Sequence, residues 1–180
     1  MKKLVKNKFN PYTLLFLIAT IIFAGCGKKD SDHSSDTDYY IKFTVLGKSY
    51  TFKGYPYATL SQADGIYTGG VGSFQEQGVG TKNVASILIG SLSSIKQETY
   101  SGIINTPAGG TTPAIFFAYI DENGKTFGSL YKDNVTNTVT ITALSGTSIK
   151  GNFSGKIYDV LATNTSPINF SGDFNVKRVN

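Results

Sequence analysis

The chain has 180 residues, with 17 Lys and Arg against 12 Asp and Glu, one Cys, one His and no Trp. Four of the lysines (Lys2, Lys3, Lys6 and Lys8) crowd the first eight positions, so residues 26–180 carry 13 basic against 12 acidic side chains. That balance, with lysines scattered singly apart from Lys28-Lys29 and Lys177-Arg178, excludes the clustered basic face of a nucleic-acid binder, and a lone cysteine excludes an internal disulfide.

The basic start leads into an apolar run over 14–23, broken only by Thr20, and then into Ala24-Gly25-Cys26. This order reads as a secretory signal; ten apolar residues fall short of the roughly 20 that a membrane span needs. A run counted from Pro11 or Tyr12 would instead give an uncleaved anchor helix. The stretch Phe23-Ala24-Gly25-Cys26 resembles the lipobox of bacterial lipoproteins, with Phe23 where Leu is usual. The resemblance implies cleavage after Gly25, a diacylglycerol thioether on Cys26 and palmitate-type acylation of the new N-terminus. It places the protein in the cell envelope, held to a membrane, with the outer membrane favoured, on its periplasmic or its surface-exposed face.

Residues 27–38 contain no apolar side chain, so they cannot offset the entropy of ordering and are expected to form a disordered acidic tether. Asp30, Asp32, His33 and Asp36 do not make a calcium loop, because no glycine stands at its sixth position. The patch Lys28 to Asp32 loosely resembles the charged sorting segments of surface lipoproteins of Bacteroidota-type bacteria. The expected organisation is a signal peptide over 1–25, the lipidated cysteine and tether over 26–38, and one domain over 39–180.

Within that domain, short segments rich in β-branched and aromatic residues alternate with turn residues every eight to twelve positions, the pattern of an all-β protein. Tyr40–Val45 alternates, with Ile41, Phe43 and Val45 on one face, and 49–53 returns as its hairpin partner after a turn at Leu46-Gly47-Lys48. A strand is expected over 57–60. Gly69-Gly70-Val71-Gly72 is too glycine-rich to assign. Residues 83–91 are apolar on both faces and so belong at the centre of a sheet. A Pro- and Gly-containing loop over 103–113 precedes the most hydrophobic strand, Ala114–Ile120. The Asn-Gly loop 121–125 turns the chain back through 126–131. Further strands are expected over 135–144, 148–159 and 168–177, about nine in all. An antiparallel β-sandwich is the first reading; an up-and-down, lipocalin-like β-barrel is the alternative.

The segments Gly151-Asn152-Phe153-Ser154-Gly155 and Phe170-Ser171-Gly172-Asp173-Phe174 form a Gly-x-Phe-Ser-Gly…Gly-x-Phe pattern. It resembles the C-terminal region of small Bacteroidota-type lipoproteins, whose first hairpin is similar to residues 41–52. The resemblance implies an exported β-domain and supplies no catalytic residue.

The only histidine, His33, lies in the tether and the only cysteine is Cys26, so the domain holds no Ser-His-Asp or Cys-His device and lacks the usual zinc ligands. No cofactor or metal is implied. Eight carboxylates follow residue 38: Asp64, Glu76, Glu98, Asp121, Glu122, Asp133, Asp159 and Asp173. Two of them facing each other would be needed for glycoside hydrolysis, and Asp64 and Asp121 stand in turn contexts. Tyrosine is the stronger clue, because it crowds the first third of the domain. Tyr50, Tyr55, Tyr57 and Tyr67 are candidates for a sugar-stacking or partner-binding face, against the plain alternative that sheets favour aromatics. The expected function is non-catalytic binding of a glycan or an envelope protein by a lipid-anchored domain. A carrier of a small apolar ligand and a carboxylate-dependent hydrolase are the alternatives.

Overall fold

The computed structural model describes residues 38–75, 82–102, 113–129, 136–162 and 166–179. The leader, Cys26 and the tether up to Thr37 lie outside the described residues, as do Glu76, Asp133 and all but Pro113 of the loop expected over 103–113. Eleven strands are described: β1 Tyr40–Val45, β2 Lys48–Phe52, β3 Gly54–Ala63, β4 Ile66–Phe74, β5 Val84–Ser91, β6 Thr99–Gly102, β7 Ala114–Ile120, β8 Thr126–Gly128, β9 Asn137–Leu144, β10 Ser148–Asp159 and β11 Ile168–Val179. The described residues are all-β, without helix.

The strands form two layers. One runs β2-β1-β11-β10-β9-β6 and the other β3-β4-β5-β7-β8. Two short pairings join them at the corners. β10 meets β8 through Tyr158↔Gly128 and Asp159↔Phe127, and β11 meets β3 over Lys177↔Tyr57 to Val179↔Thr59. The sheet therefore closes into a ring, a flattened barrel that packs as a sandwich. The β11–β3 pairing is parallel, the one departure from the expected antiparallel ladder.

Two expectations change. The glycine-rich stretch 69–72 is the middle of a nine-residue strand, β4, and β6 is an additional strand on the edge beside β9. The placement of 83–91 is borne out: β5 lies between β4 and β7, in the middle of its layer.

Alternation decides which side chains meet between the layers. Phe43, Phe153 and Phe170 of the first layer meet Phe117 and Tyr119 of the second, with ring centroids 5.4–5.6 Å apart for Phe43–Tyr119, Phe117–Phe153 and Phe117–Phe170. Each such ring contributes about 1.5–3 kcal/mol by burial, which is how a disulfide-free domain can hold together.

The β10–β11 register gives the glycine–phenylalanine pattern its physical content. Gly151 faces Phe174, Phe153 faces Gly172 and Gly155 faces Phe170, so on the inner side each ring stands opposite a glycine. The glycines are also needed for close approach. A Cβ on Gly151 would strike the Thr140 carbonyl and come within 2.6 Å of Phe174 Cζ, at the point where the β9–β10 register shifts. One on Gly155 would strike the Asn137 amide, which is buried and holds the corner together. Asn137 Nδ2 donates to Ser129 Oγ at 3.0 Å, Asn137 Oδ1 accepts from the Lys156 amide at 3.0 Å, and Ser129 Oγ also accepts from the Phe117 amide at 3.0 Å.

Candidate functional site

Not one residue of β3, β4, β5, β7 or β8 is charged. The opposite layer carries Lys42, Lys48, Lys150, Lys156, Asp159, Asp173, Lys177 and Arg178 on β1, β2, β10 and β11. The uncharged layer has an inner face of Ala58, Val71, Ile87, Ile89, Ile115, Phe117 and Tyr119, all buried. Ala85 and Phe127 belong to that inner face as well, and because side chains alternate, the residues between these line the outer face.

The pairing registers arrange that outer face in rows across the strands. Phe74, Val84, Ile120 and Thr126 form one row. Tyr57, Gly72, Ser86, Ala118 and Gly128 form the next, and Thr59, Gly70, Leu88 and Phe116 a third. From Gly72 to Gly128 the middle row is small residues, lying between Phe74, Val84 and Ile120 on one side and Leu88 and Phe116 on the other. Rings roof its two ends. A Cβ on Gly72 would come within 3.3 Å of the Tyr57 ring, and one on Gly128 within 3.6 Å of Phe116 Cζ. Ser86 and Ala118 floor the stretch between. Phe74, Leu88, Phe116 and Ile120 are half-buried, so this apolar face is accessible in part.

Of the four tyrosines singled out in the sequence, two come together here. The rings of Tyr55 and Tyr57 lie 5.7 Å apart. Burial, then the neighbouring Tyr55, raises the pKa of the Tyr57 phenol above its ordinary value. Tyr55 is 50% exposed and holds a left-handed backbone at φ 70°. Its amide bonds back to the Lys53 carbonyl at 3.0 Å, and the β3–β4 register shifts between Gly54 and Tyr57. Pro56 offers no N–H to the ladder, so the bulge falls where pairing would fail in any case. A bulky residue held at positive φ costs on the order of 1–3 kcal/mol, and such outliers concentrate at functional sites.

Tyr50 and Tyr67 lie elsewhere. Tyr50 packs against the core, stacked 5.3 Å from Phe43 and 5.9 Å from Tyr119. Tyr67 is half-buried and shares its side of β4 with Val71 and Ser73, the side turned to the interior. The residues that sequence reasoning missed are Phe74, Leu88, Phe116 and Ile120. The signal for them was present: several apolar segments without a single charge on either face.

The described carboxylates have structural partners or turn positions. Asp64 and Gly65 both take positive φ in the two-residue β3–β4 turn. Asp121 Oδ1 accepts from the amides of Asn123 at 2.9 Å and Lys125 at 2.8 Å. Asp159 pairs with Lys125 at 2.8 Å, and that contact lowers its pKa. Glu98 pairs with Lys96 at 3.1 Å. Among the described residues, no three of His, Cys, Asp and Glu gather in a way that could hold a metal ion. The arrangement offers apolar contact, ring stacking and a few hydroxyls, with no charge. No family model matches the chain, and neither a curated protein nor a solved structure matches it.

Proposed function

We propose that the chain is a lipid-anchored protein of the cell envelope. Its β-domain binds an uncharged partner, a glycan or an envelope protein, on the outer face of the β3-β4-β5-β7-β8 layer, without catalysis. The observation that carries this reading is that face: Phe74, Val84 and Ile120 on one side and Leu88 and Phe116 on the other, small residues between them, the Tyr55–Tyr57 pair at one margin and no charge in any strand of the layer. A sugar ring or an apolar protein surface suits it, and a charged ligand does not. Rings from both layers fill the interior, which favours a binding face over an internal carrier cavity. The anchoring half of the reading rests on Phe23-Ala24-Gly25-Cys26 and on the resemblance to small Bacteroidota-type lipoproteins.

The test has two arms. The full-length protein is expressed with its own leader and partitioned between detergent and aqueous phases, beside Cys26→Ala. The wild type should enter the detergent phase and the variant the aqueous phase; equal partitioning overturns the anchor. The purified wild type is then offered to a glycan panel and to envelope proteins. Saturable capture of one class supports the binding reading, and binding to neither refutes it.

A further inference from the structure

The point where the chain enters the domain lies beside the tyrosine pair. Asp38 bonds through its carboxylate to Lys53 Nζ at 2.9 Å, and its carbonyl accepts from Asn175 Nδ2 at 3.1 Å. Lys53 is two residues before Tyr55 and is tied to it by the Tyr55 amide bond. The entry point, the strained and exposed Tyr55 and the Tyr57 ring therefore share one corner of the fold.

From this we infer that the Tyr55–Tyr57 corner rests in the headgroup region of the bilayer that carries the anchor, and so fixes how the domain stands on the membrane. The inference rests on the anchoring reading above. Residues 27–37 separate Cys26 from Asp38, where the described chain starts. That length of chain reaches at most about 40 Å. That reach bounds how far the corner can stand from the anchored cysteine. Tyrosine prefers the headgroup depth, with its ring in the apolar margin and its hydroxyl in water. The Lys53–Asp38 charges offset each other, and the exposed Lys177, opposite Tyr57 in the β11–β3 register, adds a positive charge that suits anionic headgroups. Held this close, even a weak contact orients the body, because tethering makes the second contact intramolecular.

The chain has no tryptophan, so a single substitution gives a clean depth reporter. Tyr55→Trp and Tyr57→Trp probe the corner. Ile66→Trp, at an exposed position, probes the far end of the β3–β4 hairpin, about 25 Å away along the strand. Each lipidated full-length variant is placed in phosphatidylethanolamine–phosphatidylglycerol vesicles containing brominated phospholipid. The two corner reporters should be quenched several-fold more than the Ile66→Trp reporter and should emit further to the blue. Equal quenching at both ends, or stronger quenching in the Ile66→Trp variant, overturns the inference while leaving the anchor intact. Intact mass is measured on the same samples. A protein without the acyl mass refutes the anchoring reading and this inference with it.

Discussion

Phe174 lies across Gly151: a Cβ added at Gly151 would meet Phe174 Cζ at 2.6 Å and would also strike the Thr140 carbonyl on β9. The ring belongs to the core and the carbonyl is backbone, so neither can move aside cheaply. Overpacking of this kind costs about 1–3 kcal/mol. Gly151→Ala should therefore lower unfolding free energy by about 3 kcal/mol, at the top of that range because ring and backbone both collide. Gly90→Ala is the control. Its added methyl would meet Ala114 Cβ at an ordinary 3.7 Å, and stability should move by no more than about 0.5 kcal/mol. Urea titration of both variants decides the point.

Leu46 is a residue in the wrong backbone conformation for its type. It takes φ 52° and Gly47 φ 73°, the two-residue turn that normally carries Asn-Gly, and it is 57% exposed. A left-handed conformation costs a bulky residue about 1–2 kcal/mol. Leu46→Asn should stabilise the domain by about 1 kcal/mol, read as a rise of about 2–4 °C in Tm. A fall in Tm would mean that Leu46 makes a contact worth more than the strain.

Tyr55 carries the same backbone strain at a position with a proposed use. Tyr55→Gly relieves it and gives up the ring contact with Tyr57, worth about 0.5–1.5 kcal/mol. The two effects oppose, so thermal stability should stay within about 1 kcal/mol of wild type. Quenching by brominated lipid of a Tyr57→Trp reporter in the same chain should fall. Unchanged quenching would separate the strain from the membrane contact.

Tyr119 should make the domain sensitive to alkali. Burial, followed by the hydrogen bond to Tyr50, raises its phenol pKa far above the ordinary 10.0. The unfolded chain then loses this proton first. The stability tied to Tyr119 is complete below about pH 10 and declines as pH rises from there toward the folded-state pKa. Denaturant titrations from about pH 9 to about pH 11 should show a steeper loss for the wild type than for Tyr119→Phe. Parallel curves would assign the alkaline loss to other groups.

Much of the fold was legible because alternation is local. The inward sets Ile41/Phe43/Val45, Val139/Ile141 and Ile149/Phe153/Ile157 are buried as their spacing requires. What failed depended on partners distant in sequence. Gly69 to Gly72 read as a gap because glycine has weak strand preference, yet Tyr57, Thr59 and Leu88 lean over Gly70 and Gly72 and supply the missing side-chain contact. β6 has four residues and little apolar pattern; its place comes from pairing with β9, where Thr99 meets Thr140 and Ser101 meets Thr138 through their hydroxyls. The site was legible in part for the same reason. Composition marks Tyr50, Tyr55, Tyr57 and Tyr67 alike, but only the register reveals that Tyr50 turns to Phe43 while Tyr57 covers Gly72 on the outside.

A single charge placed in the uncharged outer face is the sharpest probe of that face as the binding surface. Leu88 is half-buried in its middle, so Leu88→Lys can direct its ammonium to water along its flexible stem while spoiling an uncharged contact. Binding of wild type and variant to the captured glycan or envelope protein is compared by titration, with Tm measured alongside. Affinity should fall at least tenfold, about 1.4 kcal/mol, at a Tm within a few degrees of wild type. Equal affinity for the two proteins would mean that the partner binds somewhere else.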